Sequence, residues 1–320
     1  MKTLHLGSWA GMLLLLVGSS QAQQTEVNFN AVAILRWYPA NLTTSFPVGS
    51  APDGIAFDGA SMWVVNNLDN TVTKLRANDG ACVGTCTFSV GNYPREAVFD
   101  GANVWVSNAK DNAVTKLRAS DGVCVDNSCT FNAGQAPDHM AFDGANIWVE
   151  NSNNTVTELQ ASNGALVKTC SVGNVPVGVA FDGAHIWVAN SADNTVWKLR
   201  ATDCKLLKNV KNVPAAFAVA FDGTNIWVTN GRPYNTVTEL RASDGKVVRT
   251  VAVGEGPTGI TFDGLNMWVA SYQASNVTKI RASDGKVIGT FAVAGNATRV
   301  AFDGANIWVT GNNSASVSKM

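Results

Sequence analysis

Short apolar runs of four to six residues alternate with polar turns along most of the chain, and no stretch carries a helix's 3.6-residue period. One unit shows the pattern. Gly259-Ile260-Thr261-Phe262 is a β-rich run that ends in Asp263-Gly264. In such a pair glycine accepts positive φ and aspartate bonds its own backbone, which makes a tight turn. Asn266-Met267-Trp268-Val269-Ala270 is a second strand, followed by a polar loop. Val277-Thr278-Lys279-Ile280-Arg281 is a third, Ala282-Ser283-Asp284-Gly285 is another hairpin signal, and Lys286 to Val293 is a fourth. The spacing predicts four short antiparallel strands per unit.

The unit recurs. Phe-Asp-Gly opens a turn at Phe57, Phe99, Phe142, Phe181, Phe221, Phe262 and Phe302, about forty residues apart. A Trp-Val pair follows each, at Trp63, Trp105, Trp148, Trp187, Trp227, Trp268 and Trp308. A period of this length marks a repeat array in which each sheet buries its faces only against neighbours. The Phe and Trp side chains suit that wedge, so the seven tryptophans are expected in the core, not as a sugar-stacking ladder.

The ends decide between a ring and a rod. Thr43 to Gly49 matches the fourth-strand segment Thr250 to Gly254, while the last unit stops after a third strand at Ser316–Met320. A surplus outer strand at the start complements a missing one at the end. Closing the circle leaves no unfinished sheet. The fold expected is therefore all-β: a seven-bladed β-propeller over residues 42–320 whose last blade is completed by the N-terminal strand.

The units resemble those of the Tyr-Val-Thr-Asn repeat propellers and the related NHL-type propellers. Trp227-Val228-Thr229-Asn230 is that motif with Trp for Tyr, and units one to five keep Trp-Val-x-Asn, as in Trp63-Val64-Val65-Asn66. Units six and seven depart from it at Ser271 and Gly311. The flanking Val-Gly-x-x-Pro also matches, at Val90-Gly91 with Pro94 and at Val172-Gly173 with Pro176. The resemblance is specific for fold and poor for activity.

Outside the repeats lie about forty residues. Met1-Lys2, an apolar run from Gly11 to Gly18 and the small-x-small Ser20-Gln21-Ala22 read as a signal peptide over 1–22, cleaved near Ala22. The run is shorter than the roughly twenty residues a membrane span needs. The expectation is an exported protein, secreted or periplasmic, with no membrane span and an apolar extension over 23–41. The chain carries 23 Lys and Arg against 24 Asp and Glu, a formal net charge of −1. That balance offers no large positive field for a phosphate backbone, so nucleic acid is not a favoured partner.

All six cysteines follow the leader, which favours disulfides. Units one and two are longer than the fifth between the Asp-Gly turn and the closing Gly, and they hold the close pairs Cys82–Cys86 and Cys124–Cys129. Each pair is read as a staple across the extra residues. A four-thiolate zinc site is the rival, disfavoured by an oxidising compartment. Cys170 and Cys204 come from adjacent units, and the spacing leaves a Cys170–Cys204 bond open.

The Asp-Gly turns barely vary among units, whereas the opposite face varies strongly and is the better recognition surface. Three and four residues before each repeated Phe, at the predicted channel rim, stand Asp53/Gly54, Arg95/Glu96, Asp138/His139, Val177/Gly178, Phe217/Ala218, Thr258/Gly259 and Thr298/Arg299. The rim is thus expected to be charged on one side and apolar on the other, a shape for an amphipathic ligand. Glu150 falls beside His139, and Tyr93, Arg232, Tyr234 and Tyr272 decorate neighbouring loops. Ion pairs such as Arg95–Asp138 in a solvated rim are the plain expectation.

With only His139 and His185 beyond the leader, no nucleophile–His–acid set can be read. His185 sits on the far face as a turn residue. The leading reading is a non-catalytic binding protein, without cofactor, for a protein, peptide or glycan. Streptogramin-type lyases are similar propellers that use histidines and a glutamate with a divalent metal such as Mg2+. That resemblance implies a rival metal-dependent lyase or hydrolase with His139 and Glu96 or Glu150 as the catalytic set. The chain departs from it in having one rim histidine and no Glu-Pro-His run.

Overall fold

The computed structural model describes residues 44–82, 84–124 and 129–320. The expected leader, its cleavage site and the 23–41 extension lie outside them. Seven four-stranded antiparallel sheets form, each starting with an innermost strand: Pro52–Phe57, Pro94–Phe99, Pro137–Phe142, Pro176–Phe181, Ala216–Phe221, Pro257–Phe262 and Ala297–Phe302 for blades one to seven. Neighbouring innermost strands pack on one another around the circle, including that of blade seven on that of blade one. The compact unit is a seven-bladed β-propeller.

The circle closes as the repeat pattern requires. Thr44–Pro47 pairs antiparallel with Ser316–Lys319 as the outermost strand of blade seven, Thr44 opposite Lys319 and Pro47 opposite Ser316. Phe46 stacks on Trp308 with centroids 5.4 Å apart. Its ring also lies against Gly80 of blade one, at φ +71°, where a Cβ has no room. Lys319 Nζ donates to the carbonyls of Ala77 and Asn78 at 2.7 and 2.8 Å, tying blade seven to blade one.

Each Trp is wedged between blades, six of them fully buried and Trp268 nearly so. The turn aspartates explain why Phe-Asp-Gly recurs. Asp303 Oδ1 accepts the Ala305 and Asn306 amides, and its Oδ2 accepts Trp308 Nε1–H at 2.7 Å. The same Asp–Trp bond forms in the other six blades, between 2.7 and 2.8 Å. One carboxylate thus shapes the turn and satisfies the only polar atom of the buried indole.

A third-strand lysine covers the opposite side of the indole in most blades. Lys116 Nζ lies 5.1 Å from the Trp105 ring centroid and donates to the Ala161 carbonyl of the next blade at 2.8 Å. Blades three and five carry Glu158 and Glu239 at that strand position. Each is paired there by a fourth-strand cation, Lys168 at 2.7 Å and Arg249 at 2.7 Å.

All three disulfides are present, including Cys170–Cys204. The local staples stand where the outermost strand would begin, so that strand shrinks to three residues at Thr87–Ser89 and Thr130–Asn132, against six in blade three. Cys170–Cys204 joins the outer strand of blade three to the outer turn of blade four. No cysteine is free, in keeping with an oxidising extracellular or periplasmic environment. No helix among the described residues is long and apolar enough to cross a membrane.

The Asp–Trp bonds predict an acid response. Burial raises the carboxyls of Asp263 and Asp303, but the indole N–H, the turn amides and Asn266 or Asn306 outweigh it and hold them below the usual value. A folded value below the unfolded one, about 3.9, gives stability present above that pH and lost as pH falls through the folded value. Asp303→Asn is expected to cost about 1–2 kcal/mol near neutrality. It should also flatten the loss between about pH 5 and about pH 2.5 relative to the parent. Urea midpoints across that range check this, and parallel pH curves for parent and variant would refute it.

Candidate functional site

The rim side chains reach the channel because the innermost strands bulge. Pairing with the second strand slips between Pro52 and Ile55, Pro94 and Ala97, Pro137 and Met140, Ala216 and Val219, and Ala297 and Val300. The residues left out of register are Asp53-Gly54, Arg95-Glu96, Asp138-His139, Phe217-Ala218 and Thr298-Arg299. A bulge kinks the strand and re-aims its side chains: Asp53, Arg95, Phe217, Thr298 and Arg299 line the mouth, while Glu96, Asp138 and His139 do not line it.

A hydroxyl at the third position of the Trp-Val-x-Asn segment buttresses several bulges. Ser107 Oγ accepts the Glu96 amide and donates to the Asp138 carbonyl of the next blade at 2.7 Å. Thr310 does the same for Arg299 and the Asp53 carbonyl. Blade three carries Glu150 there. Its Oε2 accepts the His139 amide at 3.4 Å, and the carboxylate lies buried under the rim.

The charged residues of blades seven, one, two and three form one network. Arg95 bridges Asp53 at 3.0 Å and Asp138 at 3.1 Å. Arg299 Nε meets Glu96 at 2.9 Å, and its Nη atoms approach Asp53 at 3.9 Å and Asp138 at 3.7 Å. The Arg95–Asp138 pair is thus present, but the rim is not a solvated one. Asp53 and Glu150 are each only 2 % exposed, Arg299 6 % and His139 7 %. Burial by the neighbouring blades, which sequence periodicity does not report, turns surface ion pairs into an interior cluster.

Electrostatics follow from that burial. Desolvation pushes the Asp53 and Glu96 carboxyls up, with Arg299 partly offsetting both. Glu150 is pushed well up by burial and by Asp138. For Asp138 burial acts upward, but His139, Arg95 and Arg299 outweigh it and hold it well below the usual range. Burial, helped by Arg299 and Arg95, brings the His139 imidazole down to about 3, so it is neutral at physiological pH. Its ring packs edge-on to Phe217 at 5.8 Å. Neither ring nitrogen has a hydrogen-bond partner, and Asp53 Oδ1, Asp138 Oδ1 and Arg299 Nη2 also lack one.

Above this cluster a cavity of about 350 Å³ opens at the channel mouth. Asp53, Arg95 and Arg299 line it with Phe217, Thr258 and Tyr272, while Tyr93 and Leu68 flank the charged side. Thr258 Oγ1 donates to the Thr298 carbonyl at 2.9 Å and so serves the ring as well as the cavity. Glu96 lies beneath Arg299. Tyr234 is half exposed on its own loop and is not brought to the cavity. The rim residue Thr298 lines it too, and Asn67, Leu68 and Asn312 line it without having been singled out by sequence; these three lie in the variable loops between second and third strands. A larger groove of about 650 Å³ lies at the Asp-Gly face between blades five and six. An equivalent groove recurs between blades one and two, and the Glu239 carboxylate in the larger one is already bonded by Arg249 and Asn225. These grooves are products of the repeat.

The fold and rim define the class as a seven-bladed β-propeller with an ionic cluster at its channel mouth. Among solved structures the chain is similar to a streptogramin B lyase, with TM-score 0.73 and 16 % identity over 87 % of this chain and 96 % of that one. It is equally similar to the hydrazine synthase of Kuenenia stuttgartiensis, with TM-score 0.73 and 16 % identity over 87 % and 97 %. Identity this low carries the fold alone. No family model and no curated protein matches the sequence.

Proposed function

We propose that this propeller is an exported, non-catalytic binding protein of the Tyr-Val-Thr-Asn and NHL-type class. It takes a small amphipathic group of a glycan or peptide, the size of one sugar ring or one chain terminus, into its channel mouth. The observation that carries the reading is the composition of the 350 Å³ cavity: ionised groups already paired with one another, faced by Phe217, Tyr93 and Tyr272. A volume near the lower end of small-ligand sites, about 300–1,000 Å³, suits a group rather than a whole macromolecule. Aromatic side chains give contact area at low entropy cost, and the fixed charges orient polar atoms. Three disulfides and the leader-like N-terminal sequence support export.

The test uses oligosaccharide and free-terminus peptide panels with the disulfide-intact protein. Binders found for the parent should weaken at least about tenfold in Tyr272→Ala and in Phe217→Ala. Leu265→Ala, at a 75 % exposed residue of the opposite face, should leave them unchanged. Binding that survives both cavity variants, or that Leu265→Ala removes, would place recognition elsewhere.

A further inference from the structure

Under the rim of blade three, three donor side chains converge that the binding reading above does not use. His139 Nδ1 lies 3.6 Å from Asp138 Oδ1 and 3.8 Å from Glu150 Oε2, and the three donor atoms all lie within 4.8 Å of one another. His139 is more than nine-tenths buried, yet neither ring nitrogen makes a hydrogen bond, nor does Asp138 Oδ1, which has Arg299 Nη2 at 3.7 Å. Buried polar atoms are rarely left so. From the juxtaposition of Asp138, His139 and Glu150 we infer a binding site for one first-row divalent transition ion, with Zn2+ as the representative.

Charge balance leads the same way. Four carboxyls, Asp53, Glu96, Asp138 and Glu150, share one cluster with two guanidiniums, Arg95 and Arg299. With all four ionised the cluster is two negative charges in excess, which one divalent ion neutralises.

Geometry and donor type narrow the ion. Ligand bonds to Zn2+ are about 2.0–2.2 Å, which puts tetrahedral donors roughly 3.4 Å apart. The two imidazole-to-carboxylate separations need a contraction of only a few tenths of an ångström, while the two carboxylates, within 4.8 Å of each other, must close by up to about 1.4 Å through side-chain rotation. One imidazole with two carboxylates suits Zn2+, Mn2+ or Fe2+ better than Ca2+, which needs six to eight oxygens, or Mg2+, which keeps its waters. Arg95 holds Asp138 by the other oxygen, Oδ2, which leaves Oδ1 turned toward the imidazole, and Phe217 fixes the ring plane. Glu150 occupies a place where Ser107, Thr229 and Thr310 serve only as hydroxyl props, so a carboxylate there is not required by the fold. The inference stands independently of any glycan or peptide in the cavity, because none of these three residues lines it.

The test is titration of chelator-treated, disulfide-intact protein with ZnCl2, with MgCl2 and CaCl2 in parallel, followed by calorimetry and melting temperature. The expected result is one saturable Zn2+ per chain, a rise of several degrees in melting temperature, and at least about tenfold weaker response to Mg2+ and Ca2+. Glu150→Gln and His139→Ala should each weaken Zn2+ binding at least about tenfold. His185→Ala, which removes the surface His185–Asp182 pair, should leave it unchanged. Because His139→Ala could impair folding, Co2+ bound to the parent gives a second readout: visible bands of a four- or five-coordinate ion without thiolate charge transfer, since no cysteine is free. Absence of saturable Zn2+, binding unchanged in both Glu150→Gln and His139→Ala, or binding lost in His185→Ala would each overturn the site.

Discussion

Deleting residues 44–47 abolishes the single cooperative unfolding transition and lowers the melting temperature more than any point substitution at the rim. The four residues supply the outermost strand of blade seven, and Val48 adds a backbone bond to Ala315 at 3.0 Å. Their loss exposes the edge of Ser316–Lys319 and uncovers Trp308, whose other neighbours include Val317 and Leu75 in the seven–one core. Lys319, which contacts Ala77 and Asn78, is then held in the sheet from one side only. Blade seven frays at its outer edge, which leaves the circle held by the packing of its inner strands on blade one. Phe46→Ala is the graded version. It should cost somewhat less than the about 3–5 kcal/mol of a fully buried ring, because Phe46 is half-buried. Urea unfolding followed by both tryptophan fluorescence and far-ultraviolet circular dichroism reads the effect: coincident curves in the parent, separated curves in the deletion. A deletion protein with the parent's midpoint and coincident curves would show that the circle does not need its closing strand.

Arg299→Met should be the most damaging single substitution at the channel mouth, costing about 3–5 kcal/mol at neutral pH. The arginine reaches from blade seven to Glu96 of blade two and stands over Asp53 and Asp138. Replacing it with an apolar chain of similar length keeps volume and removes the counter-charge of one buried carboxylate, Asp53, and two half-buried ones, Glu96 and Asp138. The size of the deficit comes from those stranded charges rather than from the worth of the pair. Glu96→Gln placed on top should therefore recover at least about 1 kcal/mol, a coupling expected only of direct partners. The pH dependence has a definite sign. Glu96 is held above its unfolded value, so its neutral form stabilises the fold below that value and the contribution is lost as pH rises through the folded one. Without Arg299 the folded value climbs further, and the deficit should be larger near pH 7.5 than near pH 5. Urea midpoints of parent, single and double variants at both pH values decide it; a pH-independent deficit would point to packing instead.

The blades were legible in the sequence because each repeated residue does a local job. Phe, Asp, Gly and Trp recur since every blade needs the same turn and the same wedge, and the split final blade showed as one surplus and one missing strand. The double duty of the aspartate was not legible: Asp303 as a turn former explains its position, but its bond to Trp308 joins positions five residues apart that only the folded hairpin brings together. The rim positions were visible as the residues that vary where the rest of the unit does not. Their burial was not, because alternation along a strand says which face a residue takes in register, and Asp53, Glu96 and His139 sit where the register slips. Glu150 stood out as a carboxylate among Val, Ser, Ala and Thr at one repeat position. Cys170–Cys204 could not be fixed from spacing, since the bond crosses between blades and depends on how the outer edges meet.

The partnership of Thr44–Pro47 with Ser316–Lys319 also sets a timetable for the nascent chain. The earlier strand waits for the later one before it has anything to pair with, and six complete blades are synthesised in the interval. Contacts so distant along the polypeptide form slowly, so the molecule spends its early life as an open arc with a sticky tryptophan at one end and an orphan strand at the other. Anything that shields that gap during biogenesis governs the yield of finished rings.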